Sequence, residues 1–110
     1  MTINDKHKEH AKVFKALCDE KRLQILELLR DGEKCACVLT DLTGIKQTAL
    51  SYHMKILCES KIVSSVQIGK WVHYSLSKEG SDVALQLLSE LTTPNSTQTQ
   101  NACYLTNIDA

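Results

Sequence analysis

Apolar side chains recur at helical spacing through the first third of the chain. From residue 6 to residue 17 they lie in one stripe among Lys, His and Glu, which predicts an amphipathic helix. Asp19 can cap a second helix, and Asp31-Gly32 ends it. Between these limits the apolar positions cover a wide arc, which predicts a largely buried helix; they are Leu23, Ile25, Leu26, Leu28 and Leu29.

The middle of the chain changes its pattern around Gly44. Residues 34–43 predict a short helix, Gly44 a turn, and residues 46–59 a longer helix. The longer helix has a buried face at i, i+4 and i+7, formed by Leu50, Met54 and Leu57. Its opposite arc is polar and carries Gln47, Thr48, Ser51, Tyr52 and Lys55. This arrangement is typical of a helix-turn-helix, whose second helix enters the major groove of DNA, so these five residues are candidate DNA contacts.

β-branched and aromatic residues then replace the helical pattern. Residues 62–67 and 71–76 flank Ile68-Gly69-Lys70, and such runs around a glycine-containing loop predict a β-hairpin. A hairpin after a recognition helix is a wing, and Lys70 at its tip is a candidate phosphate or minor-groove contact. Residues 78–91 predict a last amphipathic helix. The predicted fold class is mainly α with a small β-hairpin, a winged helix-turn-helix.

The chain divides into one domain and a tail. Its 110 residues suffice for a single core, and the apolar periodicity ends at residue 91, so residues 1–91 are predicted to form the domain. Residues 92–110 are mostly polar and aperiodic, which predicts a flexible C-terminal tail. No apolar run approaches the roughly 20 residues of a membrane span. We therefore expect a cytoplasmic protein with no membrane partner.

The charges are unevenly distributed, although the formal net charge is zero. Residues 46–80 carry five Lys and two Glu, a balance of +3, whereas residues 81–110 carry three acids and no base, a balance of −3. Positive charge is thus concentrated in the predicted recognition helix and wing, where the phosphates of DNA would lie.

Two thiols stand beside the helix-turn-helix, in Cys35-Ala-Cys37. A cytoplasmic chain keeps its cysteines reduced, which favours metal or redox chemistry over structural disulfides. Soft thiolates suit soft ions, so the pair is predicted to bind a thiophilic ion. Positions i and i+2 of a regular helix lie about 200° apart, so we expect binding to unwind the start of the short helix. Cys18, in contrast, is expected to pack in the core.

Several segments resemble the ArsR/SmtB family of metalloregulators. Residues 17–26 are similar to the entry of the family's second helix, and residues 50–57 fit its Ser-x-His-Leu-x-x-Leu pattern with Met for the first Leu. Residues 69–76 resemble the wing of the arsenical-resistance repressors. Cys35 and Cys37 match two thiols of that group's Cys-Val-Cys-Asp-Leu-Cys motif.

The resemblance spans about residues 10–91 and implies a homodimeric repressor that leaves double-stranded operator DNA when arsenite or antimonite binds. Residues 1–91 would then serve both DNA binding and dimerisation, the latter through the first and last helices. The resemblance implies no permanent cofactor and no small organic substrate. The motif's third Cys falls on Thr40, and residues 78–91 contain no His, so the family's zinc site on that helix is missing.

The third ligand of the ion is open. Trivalent arsenic and antimony take three sulfur ligands, and the third can be Cys103 of the tail, Cys58, a small external thiol, or none. The same fold can instead sense cadmium, lead or thiol oxidation. Two further alternatives are a small dithiol oxidoreductase, which the missing Cys-x-x-Cys disfavours, and a winged helix that binds only proteins.

Overall fold

The computed structural model describes residues 3–95, which form five helices around a small antiparallel sheet. In chain order the elements are α1 (Ile3–Leu17), α2 (Glu20–Leu29), β1 (Lys34–Cys35), α3 (Ala36–Thr43), α4 (Gln47–Glu59), β2 (Val63–Ile68), β3 (Trp71–Leu76) and α5 (Lys78–Thr92). Apart from β1, their order agrees with the prediction, with α3 and α4 as the helix-turn-helix and β2–β3 as the wing. None of these described helices is long and apolar enough to cross a lipid bilayer.

Local capping chemistry sets the helix ends. The Asp19 carboxylate accepts the backbone N–H groups of Lys21 at 2.9 Å and Arg22 at 3.1 Å, so the predicted cap of α2 is confirmed. Gly44 ends α3 in the left-handed region, with φ of 73°, and its N–H returns to the Thr40 carbonyl oxygen. The hydroxyl of Ser77 caps α5 by accepting the N–H of Gly80.

The sheet has a third strand that the hairpin pattern did not predict. Its order is β1-β3-β2, and Cys35 in β1 lies opposite His73 in β3. The prediction of helix over the whole of residues 34–43 is therefore wrong at its first two positions. At the other edge, a two-residue turn joins β2 to β3, and the positive φ of Gly69 (62°) is what the first position of a type II′ turn requires.

The core lies where α1, α2 and α3 meet the inner face of α4. Leu50, Met54 and Leu57 are almost fully buried, as predicted, against a group from the other helices that includes Ala16, Ile25, Leu29 and Leu39. Because its inner face is packed in this core, α4 holds its polar face outward.

Two burial predictions are wrong. The helix α2 buries only one side, and Leu23 is 50% exposed, because the other helices pack against α2 from one direction. Cys18 is exposed rather than in the core, since it follows the last residue of α1 and lies in the link to Asp19.

The helix α5 contacts the rest of the chain along a narrow strip. Leu87 and Gly80 are its buried residues, whereas Val83 (62%), Leu85 (64%) and Leu91 (51%) are largely exposed. The helix ends at Thr92, one residue beyond the predicted limit of the domain.

Candidate nucleic-acid interface and metalloid site

Cys35 and Cys37 meet at the N-terminus of α3. Cys35 ends β1 with an extended backbone (φ −68°, ψ 148°), and its sulfur caps α3 by accepting the N–H of Cys37 at 3.4 Å. The two Sγ atoms lie 2.8 Å apart. The expectation that both thiols lie on one regular helix, on opposite sides, is therefore wrong. Because Cys35 precedes the helix, both sulfurs already face one point, and no helical turn has to unwind for an ion to bind both.

The two thiols hold their protons unequally. The hydrogen bond from the Cys37 thiol lowers the pKa of Cys35, and the same bond raises the pKa of Cys37. Backbone N–H groups at the start of α3 also favour the Cys35 thiolate, as is usual at a helix N-terminus. The pair therefore loses its first proton at lower pH, from Cys35, and its second at higher pH, from Cys37. An ion that binds both sulfurs must displace the second proton.

The described residues supply no third soft ligand. Within residues 3–95, no group of three His, Cys, Asp or Glu side chains is placed to hold a metal ion. Thr40, at the position of the motif's third Cys, donates its hydroxyl to the Cys37 carbonyl oxygen at 2.7 Å. Cys58 is half-buried on α4, where burial raises the pKa of its thiol, and it is not brought to the pair. Cys103 lies outside the described residues.

Cys37 lines an open groove between α3, α4 and the wing, with a volume of about 370 Å³. Gln47 and Ser51 contribute the α4 wall, while Lys70 and Trp71 contribute the wing wall. Cys37 and half of the predicted DNA contacts therefore share one surface. Nothing in the spacing of the sequence indicated this neighbourhood, because it depends on how the wing folds back beside α3.

The candidate DNA contacts lie on the exposed side of this surface. All five α4 candidates, Gln47, Thr48, Ser51, Tyr52 and Lys55, are exposed. Lys70 is exposed in the wing turn, with its Nζ 5.6 Å from the centre of the Trp71 ring, within cation–π range. Trp71 itself is 47% exposed.

One buried polar contact lies beneath the recognition helix. His53 is buried, and its partner is the Nη1 atom of Arg22 at 3.0 Å. Arg22 is only 6% exposed and was not among the residues predicted from the sequence. Arg is usually exposed on helices, so local pattern carries no signal for a buried one.

Comparison with known proteins agrees with this architecture. Residues 19–65 match the family model for bacterial regulatory protein, arsR family. The arsenical resistance operon repressor of Bacillus subtilis (strain 168) is 40% identical over 73 residues, which make up 66% of this chain and 70% of that protein. The chain belongs to the ArsR family. The arsenical resistance operon repressor of Staphylococcus aureus is 37% identical over 89 residues, covering 81% of this chain and 86% of the relative.

Solved ArsR-like structures share the fold. An ArsR-like transcriptional regulator from Rhodococcus sp. RHA1 matches with a TM-score of 0.70 at 27% identity, covering 83% of each chain. The predicted winged helix-turn-helix is thereby confirmed. As a member of the ArsR family with repressors as relatives, the chain is a transcriptional repressor. The dithiol oxidoreductase alternative is excluded by the same relatives, which regulate transcription.

Proposed function

We propose that the chain binds double-stranded operator DNA as a homodimer and is released when arsenite or antimonite binds Cys35 and Cys37. The observation that carries this proposal is the pair of converging sulfurs at the start of α3, 2.8 Å apart and beside the recognition helix. The relatives that are named arsenical resistance operon repressors support the choice of inducer. We infer a cytoplasmic location, where thiols stay reduced.

The DNA contacts are assigned by exposure and chemistry. Gln47 at the start of α4 has an amide that can read an adenine edge in the major groove. Ser51, Tyr52 and Lys55 anchor phosphates, and Thr48 lies beside them on the same exposed face. Lys70 extends the contact from the wing. Phosphate contacts make the affinity fall steeply with salt.

Coupling between ion and DNA arises in the shared groove rather than from unwinding of α3. An ion on the two sulfurs adds bulk and further ligands next to Cys37, in the groove that Gln47, Ser51 and Lys70 also line. The bound ion therefore displaces the α4 or wing wall from the position that DNA requires. To act as an inducer it must favour the DNA-free form by about 1–3 kcal/mol, a roughly 5–150-fold effect on affinity.

Cys103 is the proposed third ligand, and a small external thiol is its alternative. The helix α5 ends at Thr92. The link from there to Cys103 reaches at most about 36–40 Å when extended, at 3.3–3.6 Å per residue. We propose that this reach lets the thiol approach the pair of its own or a partner subunit.

We assign the homodimer interface to the exposed apolar face of α1 and α5. Val83, Leu85, Leu88 and Leu91 are half or more exposed on α5, and α1 with α5 borders an apolar cleft of about 210 Å³. An apolar patch of this kind on a soluble chain is typical of an interface between subunits. A dimer places two recognition helices about 34–36 Å apart, which fits an inverted repeat.

A binding assay on the promoter of the protein's own operon tests the proposal. Fluorescence anisotropy would follow release of the DNA by arsenite for wild type, Cys35→Ser, Cys37→Ser and Cys103→Ser, with the exposed Cys18→Ser as matched control. We expect normal DNA binding by all variants, loss of release in Cys35→Ser and Cys37→Ser, and a wild-type response in Cys18→Ser. Unchanged release from a Cys35→Ser/Cys37→Ser double variant would refute metalloid sensing by this pair.

Thiol oxidation is the second candidate, because the close approach of the two sulfurs also suits a disulfide. Mass measurement after peroxide treatment distinguishes the two, since a Cys35–Cys37 disulfide lowers the mass by about two hydrogens. Competition with cadmium and lead in the anisotropy assay tests whether the chain senses either of these metals instead.

A further inference from the structure

A buried guanidinium joins three helices beneath the recognition surface. Arg22 on α2 donates Nη2–H to the Lys15 carbonyl oxygen at 2.9 Å and Nε–H to the Ala16 carbonyl oxygen at 3.2 Å. Its Nη1 lies 3.0 Å from Nδ1 of His53 on α4. One side chain therefore connects the C-terminal end of α1 to the middle of the recognition helix.

The environment of Arg22 explains why a charge is tolerated there. Carbonyl oxygens in the last turn of α1 form the negative end of that helix, which favours a cation. The Asp19 carboxylate stands beside the site, 4.0 Å from the His53 ring. Because the guanidinium has directed donors, its contacts fix direction as well as distance, which apolar packing alone does not do.

His53 must be neutral for this contact to exist. A guanidinium only donates, so Nδ1 of His53 accepts, and the ring carries its proton on Nε2. The charged groups around the ring are Asp19, Lys21 and Arg22 on the α2 side, while the Tyr52 ring lies edge-on at 5.4 Å. Burial lowers the pKa of His53, which agrees with a neutral ring. Protonation would turn the acceptor into a donor that faces Arg22.

We propose that Arg22 and His53 are positioning residues that lock the recognition helix to the end of α1 and thereby set which half-site spacing the dimer reads. The inference rests on the proposed function, in which α1 belongs to the dimer interface and α4 reads DNA. If α1 is held by the partner, any tilt of α4 relative to α1 changes the distance between the two recognition helices. Neither residue touches DNA or the thiol pair in this assignment.

Two isosteric substitutions separate positioning from simple folding. The Oδ1 atom of an asparagine can occupy the place of Nδ1, so His53→Asn keeps an acceptor for Arg22 but no longer titrates. The amide of a glutamine reaches the place of Nε2 instead, so His53→Gln removes the acceptor at similar volume. Each full-length variant is tested on the footprinted promoter fragment and on versions with one base pair added or removed between half-sites, which rotates one site by about 34°.

We expect wild type and His53→Asn to prefer the native spacing by about tenfold, and His53→Gln to lose most of that preference while still binding a single half-site. Lowering the pH from about 7.5 through the lowered pKa of His53, and so well below the ordinary His value, should weaken spacing preference in wild type and leave His53→Asn unchanged. This pH comparison decides the matter even if His53→Gln fails to fold.

Full spacing preference in a folded His53→Gln protein, or identical pH profiles for wild type and His53→Asn, would overturn the positioning role. An equal loss of half-site and full-site affinity in His53→Gln would also overturn it, because that pattern marks general destabilisation. Failure of wild type to bind its promoter would instead refute the proposed function itself.

Discussion

Gly80 is the residue at which α5 packs against the segment that leads into the wing. Its replacement by Ala tests this packing. A Cβ at this position would overlap the carbonyl oxygen and carbon of Lys61 and lie 3.0 Å from the backbone N of Ile62. Lys61 already has a positive φ of 72°. Ser77 donates its N–H to the Ile62 carbonyl oxygen at 2.8 Å, so the two segments cannot separate without breaking that bond.

The expected magnitude follows from two opposed effects of Gly80→Ala. Helix propensity alone predicts a stabilisation of about 1 kcal/mol, since Ala is the better helix former. Overpacking of a filled site typically costs about 1–3 kcal/mol, and the overlapped atoms are backbone that cannot rotate away, so we expect the upper end or more. The net loss should be about 2 kcal/mol, which lowers Tm by roughly 8–16 °C in a domain of this size.

Thermal and urea unfolding at one fixed protein concentration measure this loss, because association shifts apparent stability. Ser81→Ala, at the next and exposed position of α5, is the matched control and should stay within about 0.5 kcal/mol of wild type. A Gly80→Ala protein as stable as wild type, or more stable, would show that α5 does not pack against Lys61 as described.

Three further outcomes are expected. Leu57→Ala, in the core, should lower the free energy of unfolding in urea by about 2–5 kcal/mol. Leu23→Ala, at a half-exposed position, should lower it by about 1 kcal/mol or less, and similar losses for the two variants would contradict the one-sided packing of α2. Lys70→Gln should reduce the slope of log affinity against log salt by about 1, whereas Lys78→Gln on α5 should leave that slope unchanged. An unchanged slope for Lys70→Gln would show that Lys70 in the wing does not contact a DNA phosphate. Backbone N–H bonds from Arg22 and Lys21 lower the pKa of Asp19, so its stabilising effect is complete above its ordinary pKa of 3.8 and is lost as pH falls through the lower folded value. Asp19→Asn, which does not titrate, should flatten that part of the acid unfolding curve, and an unaltered curve would exclude Asp19 as its source.

Local pattern predicted much of this protein correctly. The apolar spacing of Leu50, Met54 and Leu57 identified the inner face of α4, and therefore also its exposed polar face, because a helix with one buried stripe has a determined opposite side. Asp19 as a cap and Gly69 in the wing turn were equally readable, since each acts within a few residues of its own position. The family and its repressor function followed from such short motifs.

The site itself depended on contacts between distant segments. Cys35 leaves the predicted helix because it pairs with His73 in β3, and this pairing, invisible to local periodicity, is what turns the two sulfurs toward one point. Arg22 is buried only because the end of α1 and the middle of α4 converge on it.

Sequence alone thus determined the five helices and the hairpin, which face of the recognition helix is polar, and which thiols stand near it. Tertiary structure decided how those thiols are presented. Strand pairing with β3 placed Cys35 before α3, and the folded wing placed Lys70 in the same groove as Cys37. Secondary structure follows mainly from neighbours along the chain, whereas the direction of a side chain at an element's end follows from what packs against it.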